Sequence, residues 1–112
     1  MNYVITGRVI KGDGYGRKLG FPTVNLKTTQ VTPVCLPADG VYAGVGELEG
    51  REYRAGIVIG PDGKIEAHLI GFDGDAYGKM VTLKTNKFLR AYQKFDTEDK
   101  LIIQIKKDID QC

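Results

Sequence analysis

Two oxygen-bearing side chains stand two residues apart in residues 21–25, Phe-Pro-Thr-Val-Asn. Pro22 fixes its own φ and favours an extended conformation at Phe21. Because alternate side chains of an extended segment share a face, Thr23 and Asn25 should lie side by side. A hydroxyl and an amide carbonyl are hard donors, suited to a magnesium ion that keeps several waters and takes its other oxygens from nucleotide phosphates. A plain strand or cap role for Thr23 and a turn role for Asn25 stay open.

A run of glycines at positions 12, 14 and 16 precedes this segment. Closely spaced glycines can adopt positive φ and let an anion approach the backbone amides. The spacing fits neither the Walker A motif nor the dinucleotide fingerprint, so a structural hairpin loop would explain the run equally well. The neighbouring segment 21–25 is what favours phosphate. The residues predicted to contact the nucleotide are Gly12, Gly14, Gly16, Arg17, Lys18, Gly20, Pro22 and Thr23.

Glu66 lies in an alternating run over residues 65–69, Ile-Glu-Ala-His-Leu. The period of two places the apolar residues on one face and Glu66 with His68 on the other. Exposed glutamates are common on antiparallel strands, so the alternation alone predicts a solvated strand face. A lone histidine is more often a hydrogen-bonded structural residue than a catalytic one, and we leave His68 out of the predicted chemistry.

The elements that must position these residues are mostly strands. Short hairpin turns are predicted at Glu49-Gly50 and at Pro61-Asp62-Gly63. A flat sheet of this length would leave an unprotected edge, so the spacing of the strands favours a small closed or nearly closed barrel. The runs that have strand character are residues 3–10, 40–48, 52–59, 64–72 and 79–85.

The hydrophobic period changes after Phe95, which predicts a helix at the end of the chain. Asp96 or Thr97 can cap its N-terminus, and the acidic residues that follow suit the positive end of the helix dipole. The apolar stripe of this helix should pack on the barrel. It consists of Leu101, Ile102, Ile105 and Ile109.

The composition is that of one small domain. A chain of 112 residues with 42% hydrophobic content can bury one core and not two. Its net charge of +2 gives no case for nucleic-acid or membrane binding, and no apolar run approaches the roughly 18 residues that span a bilayer. With no signal-peptide pattern, we expect a cytoplasmic monomer whose partners are small molecules. Cys35 and Cys112 form no CxxC pair, so free thiols are expected, and a single histidine argues against zinc.

Four blocks, in order along the chain, carry a family resemblance. They are residues 7–12 with 16–25, residues 36–43, residues 65–69 with 72–79, and residues 88–90 with 94–96. Together they resemble the riboflavin kinase family, including the kinase part of bacterial bifunctional flavokinase and FAD synthetase. The resemblance covers nearly all of residues 1–112. It implies one kinase domain folded as a mainly β, six-stranded antiparallel Greek-key barrel with a C-terminal α-helix packed against it.

The resemblance also implies a reaction and a set of site residues. The family transfers the γ-phosphate of ATP, bound with Mg²⁺, to the ribityl 5′-hydroxyl of riboflavin, giving FMN and ADP. Thr23 and Asn25 match its metal ligands, and Glu66 matches its general base. The flavin is expected near the base of the C-terminal helix, at Phe88, Leu89 and Arg90.

Two departures bear on these expectations. The family has a longer loop, with a Pro-Thr pair, before the strand of the general base, whereas this chain passes from Gly60 to Lys64 in a short turn. Weaker flavin affinity or turnover is therefore expected. No adenylyltransferase region is present in these 112 residues, so FMN but not FAD should be made. A flavin- or nucleotide-binding regulatory module without turnover is the alternative, while a nucleic-acid-binding barrel is disfavoured by the near-neutral charge.

Overall fold

A computed structural model describes residues 3–10, 23–32, 38–60, 63–72, 74–92 and 97–111 of the chain. The described elements are six strands and one helix near the C-terminus. In chain order they are β1 Val4–Ile10, β2 Val24–Thr32, β3 Gly40–Leu48, β4 Arg51–Ile59, β5 Ile65–Leu69, β6 Met80–Arg90 and helix α1 Glu98–Asp110.

The six strands close into a barrel in the order β1-β2-β5-β4-β3-β6, and every neighbouring pair is antiparallel. Strands β3, β4 and β5 pair in sequence, and β6 returns by a longer connection to lie beside β3, which is a Greek key. This confirms the predicted six-stranded antiparallel barrel with a C-terminal helix. Strand β2 is the one that the hydrophobic pattern did not identify as a strand.

The core fills the inside of the barrel with alternate side chains of all six strands. On β5 the inward residues are Ile65, Ala67 and Leu69, as the alternation predicts. Glu66 and His68 therefore face outward, and both are only partly exposed. The other buried core residues on the strands are Ile5, Val9, Leu26, Tyr42, Leu48, Ala55, Ile57, Ile59, Val81 and Leu83.

The turn between β3 and β4 is the predicted two-residue hairpin. Leu48 pairs with Arg51. Glu49 and Gly50 both have positive φ, 51° and 77°, as a type I′ turn requires. The twist of such a turn matches the twist of the strands that it joins.

Two strand ends differ from the prediction. Strand β5 ends at Leu69 rather than at Phe72, because the Phe72 N–H turns back to donate to the Leu69 carbonyl at 3.1 Å. Strand β6 continues past Thr85 to Arg90, because its pairing with β3 is maintained through two irregularities in register. The predicted 64–72 run was thus too long and the 79–85 run too short.

Helix α1 begins at the second of the two predicted caps. Thr97 is extended, and its side-chain oxygen accepts a hydrogen bond from the Lys100 N–H at 3.2 Å. The partly buried Ile105 and Ile109 belong to the predicted apolar stripe, whereas the side chains of Leu101 and Ile102 lie outside what the structure describes.

Replacing Thr97 with Ala should lower the free energy of unfolding by about 1 kcal/mol, because the Lys100 N–H loses its acceptor. Urea denaturation measures this loss. Thr97→Ser keeps the hydroxyl and is the matched control, expected within about 0.5 kcal/mol of the parent. Equal losses in the two variants would show that the cap hydrogen bond does not stabilise the helix.

Candidate active site

Asn25 on β2 and Glu66 on β5 are direct partners across two antiparallel strands. Each is flanked by an inward-facing residue, Leu26 beside Asn25 and Ala67 beside Glu66, so both side chains are directed to the outer face of the barrel. Opposite side chains in such a pair have Cβ atoms about 4.5–5.5 Å apart. An amide and a carboxylate, both partly buried, are therefore neighbours. Sequence reasoning named both residues and did not foresee that they would be paired.

Thr23 immediately precedes β2 and is partly buried. It stands two residues from Asn25, just outside the segment of β2 that pairs with β5. The structure thus brings Asn25 and Glu66 together and leaves Thr23 at the adjoining strand end. Its role as a metal ligand stays a prediction.

A single row of residues connects this pair to the predicted flavin region. Partners across an antiparallel pair share a face, so the whole row lies on the outside of the barrel with Glu66. Strands are spaced about 4.8 Å apart, which puts Glu66 and Arg90 three spacings, or about 14 Å, apart around the barrel. The successive register partners on β2, β5, β4, β3 and β6 are Asn25, Glu66, Val58, Val41 and Arg90.

Strand β6 bulges twice where it pairs with β3. Asn86 and Leu89 are the residues that have no register partner on β3, and each extra residue reverses the face of those that follow. Phe88, between the two bulges, turns inward and lies opposite the core residue Tyr42. Arg90, after the second bulge, turns outward again. Phe88 and Arg90 therefore lie on opposite faces of the sheet, although they are two residues apart.

Phe88 packs against Tyr42 at the end of the barrel where β3 begins. The two rings meet edge to face, with centroids 5.2 Å apart and an interplanar angle of 70°. Phe88 is nonetheless 52% exposed. The residues predicted to contact the flavin thus lie at the end of β6, and their contact with a flavin stays a prediction.

Tyr42 itself is a structural residue of this barrel end. Its hydroxyl donates a hydrogen bond to the Ala38 carbonyl at 2.6 Å. Burial raises the pKa of the Tyr42 phenol, and the nearby Tyr3 and Asp39 raise this pKa further. The phenol consequently stays a protonated donor at neutral pH.

Arg90 is held by Asp108 of helix α1. Arg90 Nε donates to Asp108 Oδ1 at 3.1 Å and Nη2 donates to Oδ2 at 2.9 Å, a two-pronged arrangement. Gln104, one turn earlier on the helix, donates to the same Oδ1 at 3.0 Å. Sequence reasoning missed Asp108, because nothing local shows that the last turn of the helix returns to β6.

The turn from Gly60 to Lys64 is as short as the sequence indicates. The Gly60 N–H donates to the Lys64 carbonyl at 2.8 Å, and the Gly63 N–H donates to the Gly60 carbonyl at 3.0 Å. Two backbone hydrogen bonds therefore close the connection directly before the strand of Glu66.

Within the described ranges, no group of three or more His, Cys, Asp or Glu residues could hold a metal ion. No helix there is both long and apolar enough to cross a membrane. The predictions that fall outside those ranges concern Gly12, Gly14, Gly16, Arg17, Lys18, Gly20, Pro22, Cys35, Pro61, Asp62, Asp96 and Cys112.

Known proteins share this fold and much of this sequence. The chain is 36% identical over 117 residues to the bifunctional riboflavin kinase/FMN adenylyltransferase of Haemophilus influenzae and 34% identical over 116 residues to that of Bacillus subtilis. These alignments cover 96% and 95% of the chain but only 37% and 36% of the relatives. The chain thus spans little more than a third of their length.

Solved structures agree on the architecture. A protein described as a macrolide-efflux protein from Streptococcus pneumoniae superposes with a TM-score of 0.87 at 33% identity, over 96% of this chain and 37% of its own. A riboflavin kinase from Trypanosoma brucei superposes with a TM-score of 0.72 at 24% identity, over 97% of this chain and 76% of its own, and supports the fold alone.

The family is decided by a match over the full length of the sequence. The family model described as riboflavin kinase matches residues 1–112. The barrel and the similarity to the bifunctional enzymes both agree with it. The chain belongs to the riboflavin kinase family.

Proposed function

We propose that residues 1–112 act as one riboflavin kinase domain that transfers the γ-phosphate of ATP to the ribityl 5′-hydroxyl of riboflavin, giving FMN and ADP. The observation that carries this proposal is the pairing of Glu66 with Asn25 on the outer face of the barrel. It sets a carboxylate beside an oxygen ligand, which is the pair of groups that phosphoryl transfer to a hydroxyl requires.

In this proposal Glu66 is the general base. The 5′-oxygen forms a bond to the γ-phosphorus, the bond from that phosphorus to the β,γ-bridging oxygen breaks, and the hydroxyl proton passes to the Glu66 carboxylate. Strands on both sides hold Glu66, opposite Asn25 on β2 and Val58 on β4. A base on such a strand needs little reorganisation before it reaches the proton.

Thr23 and Asn25 would hold the magnesium ion. Their hydroxyl and amide oxygens are neutral hard donors, which fits a cation that takes its remaining ligands from water and phosphate. When bound, the ion would neutralise negative charge on the phosphates. Lys27 on β2 and its register partner Arg8 on β1 are exposed and add positive charge near Asn25.

The flavin would lie along the row from Glu66 towards Arg90. Val58, next to Glu66 in the row, is partly exposed and offers an apolar surface to a planar ring, whereas Val41 beyond it is buried. The polar ribityl chain would then point to Glu66. Arg90 at the far end offers a guanidinium group to the ring edge.

A regulatory module that binds flavin or nucleotide without turnover is the second candidate. It is favoured by the tight turn between Gly60 and Lys64, which leaves little chain to cover the substrates. An assay of FMN formation from riboflavin and ATP–Mg separates the two. FMN formation supports the kinase, whereas riboflavin binding with no FMN formed supports the regulatory module.

Replacing Thr23 with Val keeps the shape of the side chain and removes its oxygen, so the affinity for ADP should no longer rise when magnesium is added. Titrations of ADP with and without magnesium measure this. Thr28→Val, on the same strand, is the matched control and should keep the magnesium enhancement of the parent. An enhancement that survives in Thr23→Val would show that Thr23 is not a metal ligand.

A further inference from the structure

We infer that Asp108 is a positioning residue for the flavin end of the site: through Arg90 it fixes helix α1 against the row that runs from Glu66 to Arg90. This inference rests on the proposed function, since it assigns the determinant of riboflavin affinity to a residue that touches no substrate. The Asp108 carboxylate takes no part in the proposed phosphoryl transfer or in nucleotide binding.

Asp108 is a buried charge near the end of helix α1. Among the polar and charged side chains whose exposure the structure describes, Asp108 is one of two that are buried, the other being Thr85, and Asp108 is 8% exposed. In the ion pair the side chains of Arg90 and Asp108 are 21% and 12% exposed. The desolvation that such a pair requires offsets much of its attraction, so the pair is a poor source of stability.

The geometry of the ion pair between Arg90 and Asp108 fixes the orientation of both side chains. A planar guanidinium that is bound through Nε and Nη2 to the two oxygens of one carboxylate is fixed in both direction and rotation. The Gln104 amide holds one carboxylate oxygen from the preceding helical turn. The cluster of Arg90, Gln104 and Asp108 therefore fixes the orientation of the last turns of α1 relative to the end of β6.

Helix α1 lies beside the row that runs from Glu66 to Arg90. Val41 faces outward by register, yet it is only 3% exposed. Helix α1 contacts β4, the strand that carries Val58, and is bound to Arg90 on β6. The cluster therefore sets how the helix lies beside Arg90, the end of the row that is proposed to contact the flavin ring.

The test compares Asp108→Asn with the parent in steady-state kinetics and in riboflavin binding measured by flavin fluorescence. Asparagine keeps the shape and loses the charge. A charge-assisted hydrogen bond is worth enough that the KM and Kd for riboflavin should rise about tenfold to hundredfold. The KM for ATP–Mg and the kcat at saturating riboflavin should stay within about threefold, because Thr23, Asn25 and Glu66 lie on other elements.

Glu49→Gln is the matched control. Glu49 forms an ion pair with Lys79 that joins two turns of the chain, and both side chains are exposed. Neutralising it should leave the affinities for riboflavin and for ATP–Mg unchanged. An unchanged riboflavin affinity in Asp108→Asn, or an equal loss for both substrates, would overturn the inference, as would a lowered melting temperature with riboflavin affinity intact.

Gln104→Leu keeps the inference testable if Asp108→Asn does not fold. It leaves the ion pair in place and removes one hydrogen bond from Asp108 Oδ1, so riboflavin affinity should fall about two- to fivefold. If the parent protein binds riboflavin but produces no FMN, the kinase reaction is refuted. The riboflavin affinities of the variants relative to the parent still decide the role of Asp108. A parent that binds no riboflavin refutes both.

Discussion

Replacing Glu66 with Gln should lower the kcat for FMN formation by ~10²–10⁴-fold, or about 3–5 kcal/mol of barrier. Glutamine keeps the size and polarity of the side chain but is a far weaker base, so only the step that moves the hydroxyl proton is affected. Because this proton moves in the transition state and not in the bound complex, affinities for riboflavin and for ADP–Mg should stay within about threefold of the parent.

His68→Gln is the matched control for this substitution. His68 lies on the same strand and the same face, two residues from Glu66, and is likewise partly buried. Its replacement should leave kcat within about threefold of the parent, since an outward side chain that takes no part in proton transfer adds little to the barrier. Full FMN production by Glu66→Gln would refute the assignment of the base. Equal losses in both variants would point to a damaged strand and not to lost chemistry.

Replacing Gly44 with Ala should destabilise the barrel by at least about 3 kcal/mol, the upper end of the usual cost of overpacking. A Cβ at this position would lie 2.0 Å from the backbone carbonyl oxygen of Lys84 on β6 and 3.0 Å from Ile57 Cδ1. The carbonyl belongs to the paired strand and cannot retreat without breaking the β3–β6 pairing. The melting temperature should fall by roughly 10–20 °C.

Gly46→Ala is the matched control in the same strand. A Cβ there would meet Leu69 Cδ2 at 2.4 Å, the end of a flexible side chain that can change rotamer. The expected cost is about 1–2 kcal/mol. Thermal unfolding of both variants decides the matter: if Gly46→Ala costs as much as Gly44→Ala, backbone approach is not the reason for glycine at position 44.

Gly44 also marks the place where the first bulge of β6 begins, since the register shifts between Ala43 and Gly44. The close approach of β3 and β6 at this glycine therefore adjoins the bulge after which Phe88 turns inward. A variant that loosens this approach should disturb the contact between Phe88 and Tyr42 as well as the stability.

The strands whose inward residues are β-branched or aliphatic were predictable from the sequence. Strand β5 is the clearest example, because Ile65, Ala67 and Leu69 alternate with two polar residues. Strand β2 was missed as a strand because Lys27, Thr28 and the polar residues after them give no apolar period. It is a strand because β1 and β5 pair with it on both sides, and pairing with distant strands overrides local pattern.

The sequence suggests the residue types of the proposed site but does not show how they are arranged. The resemblance to a family named Asn25, Glu66 and Arg90, but their alignment in one row depends on the order of the strands around the barrel. The bulges at Asn86 and Leu89 carry no mark in the sequence, and plain alternation would place Phe88 and Arg90 on the same face. The partnership of Arg90 with Asp108 is equally nonlocal, because a helix must return across the barrel to form it.

The shortest strand of the barrel, β5, bears the carboxylate of the proposed base. The position of this carboxylate disfavours the pairing of β5 in a slipped register. If β5 slipped by one residue against β2 and β4, every side chain on it would exchange faces. Glu66 would then enter the apolar interior and Ala67 would leave it. An unpaired carboxylate in such surroundings is far too costly to persist, so chains with the slipped register are not retained in the folded population. The same glutamate thus disfavours the slipped register, and in the correctly paired barrel Glu66 lies on the outer face, where the substrates are proposed to bind.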